Sequence, residues 1–286
     1  MAGTRPTAIT KLQDAPSVGK RNWLIYGAAG IGKTSLAGTA PNAIFLAVEA
    51  AGTESAKMMG SSADEWIIDN WSELRTEAYE YFKNGSGCKD YEWVLIDSGS
   101  EMEEIAWQDQ LETAHARNAA RSLYKPALED YQIIGNKMKN MVDAFNRLPI
   151  NVLYTFQDMR VTIEDQDTEE EKQLIMPLVG SPNNGIISTK ICGKTTLNGW
   201  LTVRRVKIDS EGEGVETKDV RRLYTSAGKR FIAKDRHDTF GRFVDNPNIT
   251  EMAEAVQKKI DKAKTTEEKM KAAGLSSSVS SMTGAK

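Results

Sequence analysis

Short runs of consecutive apolar residues punctuate the first half of the chain. They are Trp23-Leu24-Ile25-Tyr26, Ala43-Ile44-Phe45-Leu46-Ala47-Val48, Trp66-Ile67-Ile68, Trp93-Val94-Leu95-Ile96 and Ile150-Asn151-Val152-Leu153-Tyr154-Thr155-Phe156. Each is too short for a helix: the unbroken runs at 23–26, 43–48 and 93–96 predict buried strands, Trp66-Ile67-Ile68 a further short strand, and Ile150–Phe156, interrupted by Asn151 and Thr155, a fourth long strand. Between them the spacing turns helical. Residues 33–40 read as a helix stopped at Pro41, and Ser72 to Phe82 as a helix capped by Ser72 and ended by Asn84-Gly85-Ser86-Gly87. Glu101 to about His115 reads as a third helix and Leu128 to Arg147 as a fourth. The apolar stripe of the fourth, Ile133, Ile134, Met138, Met141, Val142 and Phe145, reads as core packing. Strands alternating with helices predict an α/β fold with a mostly parallel central sheet flanked by helices.

Beyond Phe156 the pattern changes. Residues 158–199 read as a long irregular segment. It holds the acidic run Glu164–Glu171 and the turn-rich Gly180-Ser181-Pro182-Asn183-Asn184-Gly185. From Trp200 the period becomes two. Trp200–Ile208 and Val220–Thr225 read as antiparallel strands joined by a polar turn over Asp209–Asp219, with a third strand over Arg230–Ala233. This is a C-terminal antiparallel hairpin extension. The organisation expected is a flexible N-terminal arm over 1–20, a core over 21–248, a charged surface helix over 249–273 and a disordered, serine-rich tail over 274–286.

The first strand runs into Gly27-Ala28-Ala29-Gly30-Ile31-Gly32-Lys33-Thr34-Ser35. Strand, GxxxxGK[ST] and helix together make a nucleotide-binding P-loop. The glycines let the backbone turn its N–H groups onto phosphate oxygens. Lys33 reaches the outer phosphates and the Thr34 hydroxyl sits on Mg2+, so ATP and Mg2+ are the cofactors expected. Trp93–Asp97 follows the Walker B pattern, an apolar strand ending in a carboxylate that holds the Mg2+ through water. Ser98 either orients the metal shell or caps the next helix. Glu49 ends the second strand, where α/β proteins place ligands. Gln157 ends the fourth long run and is either a phosphate sensor or a surface residue.

Composition narrows this little. The 286 residues carry a net charge of −3, so any nucleic-acid surface is local rather than global. From 189 to 242 there are 13 Lys and Arg against 7 Asp and Glu, a local +6 that is either such a surface or an ordinary solvated hairpin. Cys88 and Cys192 are far apart, which implies neither a disulfide framework nor a zinc site and fits a reducing, cytoplasmic compartment. Two histidines exclude a histidine-rich metal site. No stretch is long enough to span a bilayer, so no membrane partner is expected.

In order, the P-loop, Glu49, Asp97 and Gln157 resemble a RecA-type ATPase core. "Leu24-Ile25-Tyr26-Gly27", "Leu95-Ile96-Asp97-Ser98" and "Ala233-Lys234-Asp235-Arg236" are more closely similar to the short RecA-like ATPases of bacteriophages, including Sak-type single-strand annealing proteins. The resemblance covers about residues 20–245. It implies a RecA-like P-loop NTPase core, with Glu49 activating water and Gln157 sensing phosphate. It also implies that Lys234 and Arg236 reach a neighbouring subunit's nucleotide in a ring or filament. The basic stretch Arg117, Arg121, Tyr124 and Lys125 lies where such proteins carry a first DNA-binding loop. A second would span about 158–196, with Lys190, Lys194, Arg204 and Arg205 as further contacts to single-stranded DNA and Tyr124 as a stacking platform.

The function so implied is an ATP-hydrolysing phage protein that binds single-stranded DNA and promotes recombination or annealing. Its partners would be further copies and a single-stranded-DNA-binding protein, and its location the cytoplasm of an infected bacterial host. The alternative is a nucleotide-switched assembly ATPase that does not bind DNA. The acidic run suits that second reading better.

Overall fold

The computed structural model describes residues 20–49, 51–164, 171–180, 185–210 and 214–272. The N-terminal arm, most of the acidic run, the turn at 181–184 and the tail lie outside them. The first half of the chain alternates strand and helix: β1 (Asn22–Tyr26), α1 (Lys33–Ala37), β2 (Ala43–Ala47), α2 (Glu54–Met58) and β3 (Asp64–Ile67). Then α3 (Trp71–Glu73) and α4 (Tyr79–Lys83) are joined by a π-helical turn over Leu74–Ala78, followed by α5 (Gly87–Asp90) and β4 (Trp93–Asp97). The long helices α6 (Gly99–Arg117) and α7 (Leu128–Arg147) lead to β5 (Asn151–Phe156). After it come β6 (Asp158–Glu164), β7 (Glu171–Pro177), α8 (Ile186–Gly193), β8 (Leu197–Ser210) and β9 (Gly214–Tyr224). Last are β10 (Lys234–Asp235), β11 (Phe243–Asp245) and α9 (Ile249–Ala272).

The central sheet runs β11-β9-β8-β1-β5-β4-β2-β3, with β10 also on β8. The pairings from β8 through β1, β5, β4 and β2 to β3 are all parallel, whereas β9, β10 and β11 join antiparallel. This is the mixed α/β fold with a C-terminal antiparallel hairpin that the pattern predicts. Both faces are covered at β1, β2, β4 and β5, which is why those strands read as unbroken apolar runs, whereas the edge strand β3 is mostly exposed, with Ile67 open to solvent. Leu24, Tyr26, Val94, Ile96, Val152 and Tyr154 pack under α6, α7 and α8 with Met102, Met138, Val142 and Phe145. Their neighbours Trp23, Ile25, Phe45, Leu95 and Leu153 face the other way, onto Leu36 of α1 and Ile249, Met252 and Val256 of α9.

Several expectations are corrected. The described residues between 158 and 199 are not an irregular segment: β6 and β7 pair antiparallel and α8 follows. Met159, Val161 and Met176 are buried at every second position of that hairpin and make a small core of their own. The β8–β9 strands run farther than the sequence suggests, through Ser210 and from Gly214, into the segment expected as a polar turn; residues 211–213 of that turn lie outside the described residues. The third strand is displaced from Arg230–Ala233 to Lys234–Asp235; Phe231 makes only isolated bridges. The first helix stops at Ala37 rather than residue 40. The next is capped by Asn70, whose side chain accepts the Glu73 N–H, and not by Ser72. In the α7 stripe Ile133 is exposed while its other five members are buried.

Candidate functional site

The P-loop leaves β1 at Gly27, whose N–H donates to Phe156 O of β5 at 3.2 Å. A Cβ at Gly27 would lie 2.4 Å from Leu201 O, so only glycine lets the loop start this close to β8. Ala28, Ala29 and Gly30 are exposed at the crest, and Ile31 closes the turn back onto Ala28 O. Gly32 takes φ +98°, the left-handed region that favours glycine, and precedes Lys33 at the start of α1. The Lys33 ammonium donates to Gly27 O and Ala28 O, both at 2.9 Å, and lies folded over the loop's own carbonyls. Burial pulls its pKa below the ordinary lysine value; the charges of Asp97, Asp158 and Glu49 act against that.

The three strand ends meet beside this loop. Asp97 closes β4 and is 7% exposed. It comes one residue after the last β4–β5 pair, Ile96 with Tyr154, and the Thr155 hydroxyl donates to its Oδ1. Its Oδ2 is buried and has no hydrogen-bond partner among the described residues. Burial raises the Asp97 pKa, against lowering by the hydroxyls of Thr155 and Thr34 and the charge of Lys33. A buried carboxylate oxygen without a partner, close to a threonine hydroxyl and a lysine, is an oxygen-donor site for a hard cation. Among the described residues no group of three or more His, Cys, Asp or Glu gathers to hold a metal. A cation here therefore takes most of its remaining ligands from water and phosphate, which fits Mg2+ carried by a nucleotide.

Glu49 follows β2, whose Ala47 pairs with Asp97, and the Val48 N–H donates to Asp97 O at 2.9 Å. Glu49 is exposed, two residues past that register point. Glu101, at the first turn of α6, feels it: burial raises the Glu101 pKa, and the charges of Glu49 and Glu104 add to this. Ser98 proves to be the helix cap, accepting the Glu101 N–H at 3.3 Å. Gln157 is half-buried at the end of β5, its N–H donating to Ser100 Oγ. It lines a cavity of about 820 Å³ with Glu101, Glu103, Glu104, Trp107 and Tyr131. Glu103 accepts the Gly180 N–H with both oxygens, and burial raises its pKa to about 7.

The remaining predicted residues are not gathered here. Lys234 donates to Cys192 O at 2.7 Å and Arg236 to Gly193 O at 2.8 Å, so both lie on the C-terminal end of α8. Through β8, Lys234 aligns with Leu24 in the middle of β1, and Arg236, whose N–H donates to Thr196 O, lies two residues farther from the P-loop end of that strand. Burial lowers the Lys234 pKa to about 8. Of the expected DNA contacts, Arg121 is tied to Glu129 and buried Asp130, Lys194 to Asp143, and Arg205 to Asp219. The Arg204 guanidinium lies 5.9 Å from the Trp200 ring centre and 5.7 Å from that of Tyr224. Arg117, Lys125 and Lys190 are exposed, and Tyr124 is 91% exposed.

Sequence reasoning missed Thr155, Asp158 and Arg221. Thr155 is visible as the one aliphatic hydroxyl inside the strand paired with the Walker B strand. Asp158 was hidden because residue 158 was read as the start of a loop. Arg221 was one of several arginines in a hairpin, with no local signal.

Compared with known proteins, a family model described as an AAA domain matches residues 20–237. No curated protein matches the chain. Among the described residues no helix is long and apolar enough to cross a membrane.

Proposed function

The chain belongs to the AAA domain family, and from that premise we propose that it binds ATP with Mg2+ at the Gly27–Ser35 loop and hydrolyses it. The observation that carries this is the buried, partnerless Asp97 Oδ2 beside Thr34 and Lys33 at the mouth of the P-loop. In this reading Thr34 and Asp97 hold the cation, which when bound neutralises phosphate charge. Lys33 leaves the carbonyls of Gly27 and Ala28 and takes up the outer phosphate oxygens. Glu49 orients the attacking water and accepts its proton, and Gln157 contacts the terminal phosphate. Thr155 keeps the Asp97 carboxylate in one orientation.

The finer reading is a RecA-like, phage-type protein that binds single-stranded DNA and promotes recombination or annealing. The exposed Arg117, Tyr124, Lys125 and Lys190 and the basic β8–β9 hairpin support it. A second reading, a nucleotide-switched assembly ATPase without DNA, is favoured by one specific observation. Arg121, Lys194 and Arg205 are already ion-paired, and the cavity beyond Gln157 is lined by Glu101, Glu103 and Glu104.

The test is ATP hydrolysis with and without single-stranded DNA, with Lys33→Ala as control. Loss of turnover in Lys33→Ala supports the ATPase reading, and turnover unchanged in that variant sinks it. Stimulation by DNA that weakens in Arg204→Ala supports the recombination reading. Turnover indifferent to DNA, with no DNA bound at low salt, leaves the assembly switch.

A further inference from the structure

Arg221 of β9 reaches the P-loop within the same chain. A Cβ built on Gly32 would lie 2.8 Å from Arg221 Nε and 2.9 Å from its Cζ, so the guanidinium rests against the turn that precedes Lys33. Its backbone is clamped. The Arg221 N–H donates to Asn246 Oδ1 at 3.2 Å, and the Asn246 N–H returns a bond to Arg221 O at 2.6 Å. Asn246 takes φ +45°, a left-handed conformation that asparagine tolerates better than most residues. Beside the guanidinium opens a slot of about 120 Å³, walled by Ser35 and Leu36 of α1 and Thr39 just beyond it, by Met59 just past α2, and by Leu201, Asn246 and Pro247.

The position of this slot gives it a role. From the P-loop strand β1, the sheet continues through β5 and β4 to β2 on one side and through β8 to β9 on the other. Gln157, Asp97 and Glu49 end the strands of the first side, about 5, 10 and 14 Å from β1 at ordinary strand spacing. A triphosphate seated on the loop with its terminal group toward those residues must send its nucleoside out on the opposite side. There the slot lies, bounded by Leu201 of β8 and Arg221 of β9 and continuous with Ser35 of α1. Its volume suits part of a flat heterocycle, its walls are largely apolar, and it offers one planar cation.

We infer that this slot takes the nucleobase of the bound nucleotide, with the Arg221 guanidinium lying against the ring face. The inference rests on the nucleotide reading of the P-loop and adds to it a residue that no motif contains. A guanidinium lies flat on an aromatic face with its whole plane, whereas an ammonium of equal charge offers only a point contact, so charge and planarity are separable.

The experiment is calorimetric titration of the full-length protein with ATP and with inorganic tripolyphosphate, each with Mg2+. Arg221→Ala is expected to weaken ATP about tenfold while leaving tripolyphosphate, which has no base, unchanged. Arg221→Lys should bind ATP as poorly as Arg221→Ala. ATP bound as tightly by Arg221→Ala as by the unaltered chain overturns the inference. So does an equal loss of tripolyphosphate that Arg221→Lys restores, since that places the guanidinium on phosphate. Lys33→Ala separates this from the premise: it should lose both ligands, and if it binds both normally the P-loop reading fails and the slot with it. Arg221 is exposed, and circular dichroism of both variants confirms the fold.

Discussion

Asp97 and Glu103 are both buried carboxylates near the site, and their partners set them apart. Asp97 keeps one oxygen without a partner and Glu103 keeps none. An amide at 97 still accepts the Thr155 hydroxyl but loses the charge a cation needs. Asp97→Asn is therefore expected to leave the nucleotide-free protein within about 1 kcal/mol of its original stability. It should abolish the rise in melting temperature that ATP with Mg2+ produces. Differential scanning fluorimetry with and without ligand reads both effects. Glu103 predicts a pH dependence. Its folded-state pKa of about 7 lies above its unfolded value, so the folded chain binds that proton more tightly. Stability from this group is full below pH about 4.3 and is lost as pH rises through 7, an effect of about 3 kcal/mol. Urea unfolding from pH 4.5 to 8 should show a decline that Glu103→Gln flattens; an unchanged slope would remove Glu103 as its source. The residues at strand ends were legible because each closes an apolar run whose direction fixes where its last side chain lies. Glu103 was not, because its partner Gly180 is 77 positions away and local spacing carries no trace of it.

At the scale of elements, legibility followed burial. β1, β2, β4 and β5 are covered on both faces, so the apolar run marks the strand directly. β6 and β7 have one face on a small separate core, and the acidic stretch between them interrupts the alternation, so the hairpin read as a loop. The C-terminal helix is a surface helix, but with one face built into the core. Its charged residues suggested a surface helix, yet Ile249, Met252, Ala253 and Val256 are buried against α1 and β8. The Ile249 N–H and the Thr250 hydroxyl also bond to Thr39, fastening the helix to the chain just beyond α1. α9 is therefore part of the layer that backs the P-loop. Met252 is 3% exposed, and Met252→Ala should cost about 3 kcal/mol in urea unfolding. A cost near zero would mean that α9 packs only loosely on the core. Because α9 touches the P-loop helix and not Asp97 or Glu49, turnover per folded molecule should fall far less than stability.

At the scale of the whole molecule, the location of Lys234 and Arg236 sets a constraint. Lys234 aligns with the middle of β1 and Arg236 with its start, both are bonded to the end of α8, and the P-loop leaves the other end of the strand, so neither side chain is directed at the phosphates of its own chain. In the proposed assembly they act on the nucleotide of a neighbour. In a head-to-tail assembly each site then takes its loop from one copy and its cations from the next. Two inactive variants can therefore complement each other. Lys33→Ala spoils the loop and keeps the cations; the double variant Lys234→Ala with Arg236→Ala does the reverse. Mixed in equal amounts, random association puts an intact loop against intact cations at about a quarter of the interfaces. The mixture should recover about a quarter of the original rate of ATP hydrolysis, although neither variant alone turns over. That rate should fall faster than linearly on dilution, because the site exists only where two copies meet. A mixture as inactive as its components, with the double variant inactive alone, would mean that Lys234 and Arg236 matter only for holding the end of α8. A double variant with full activity would mean that one chain carries everything the reaction needs.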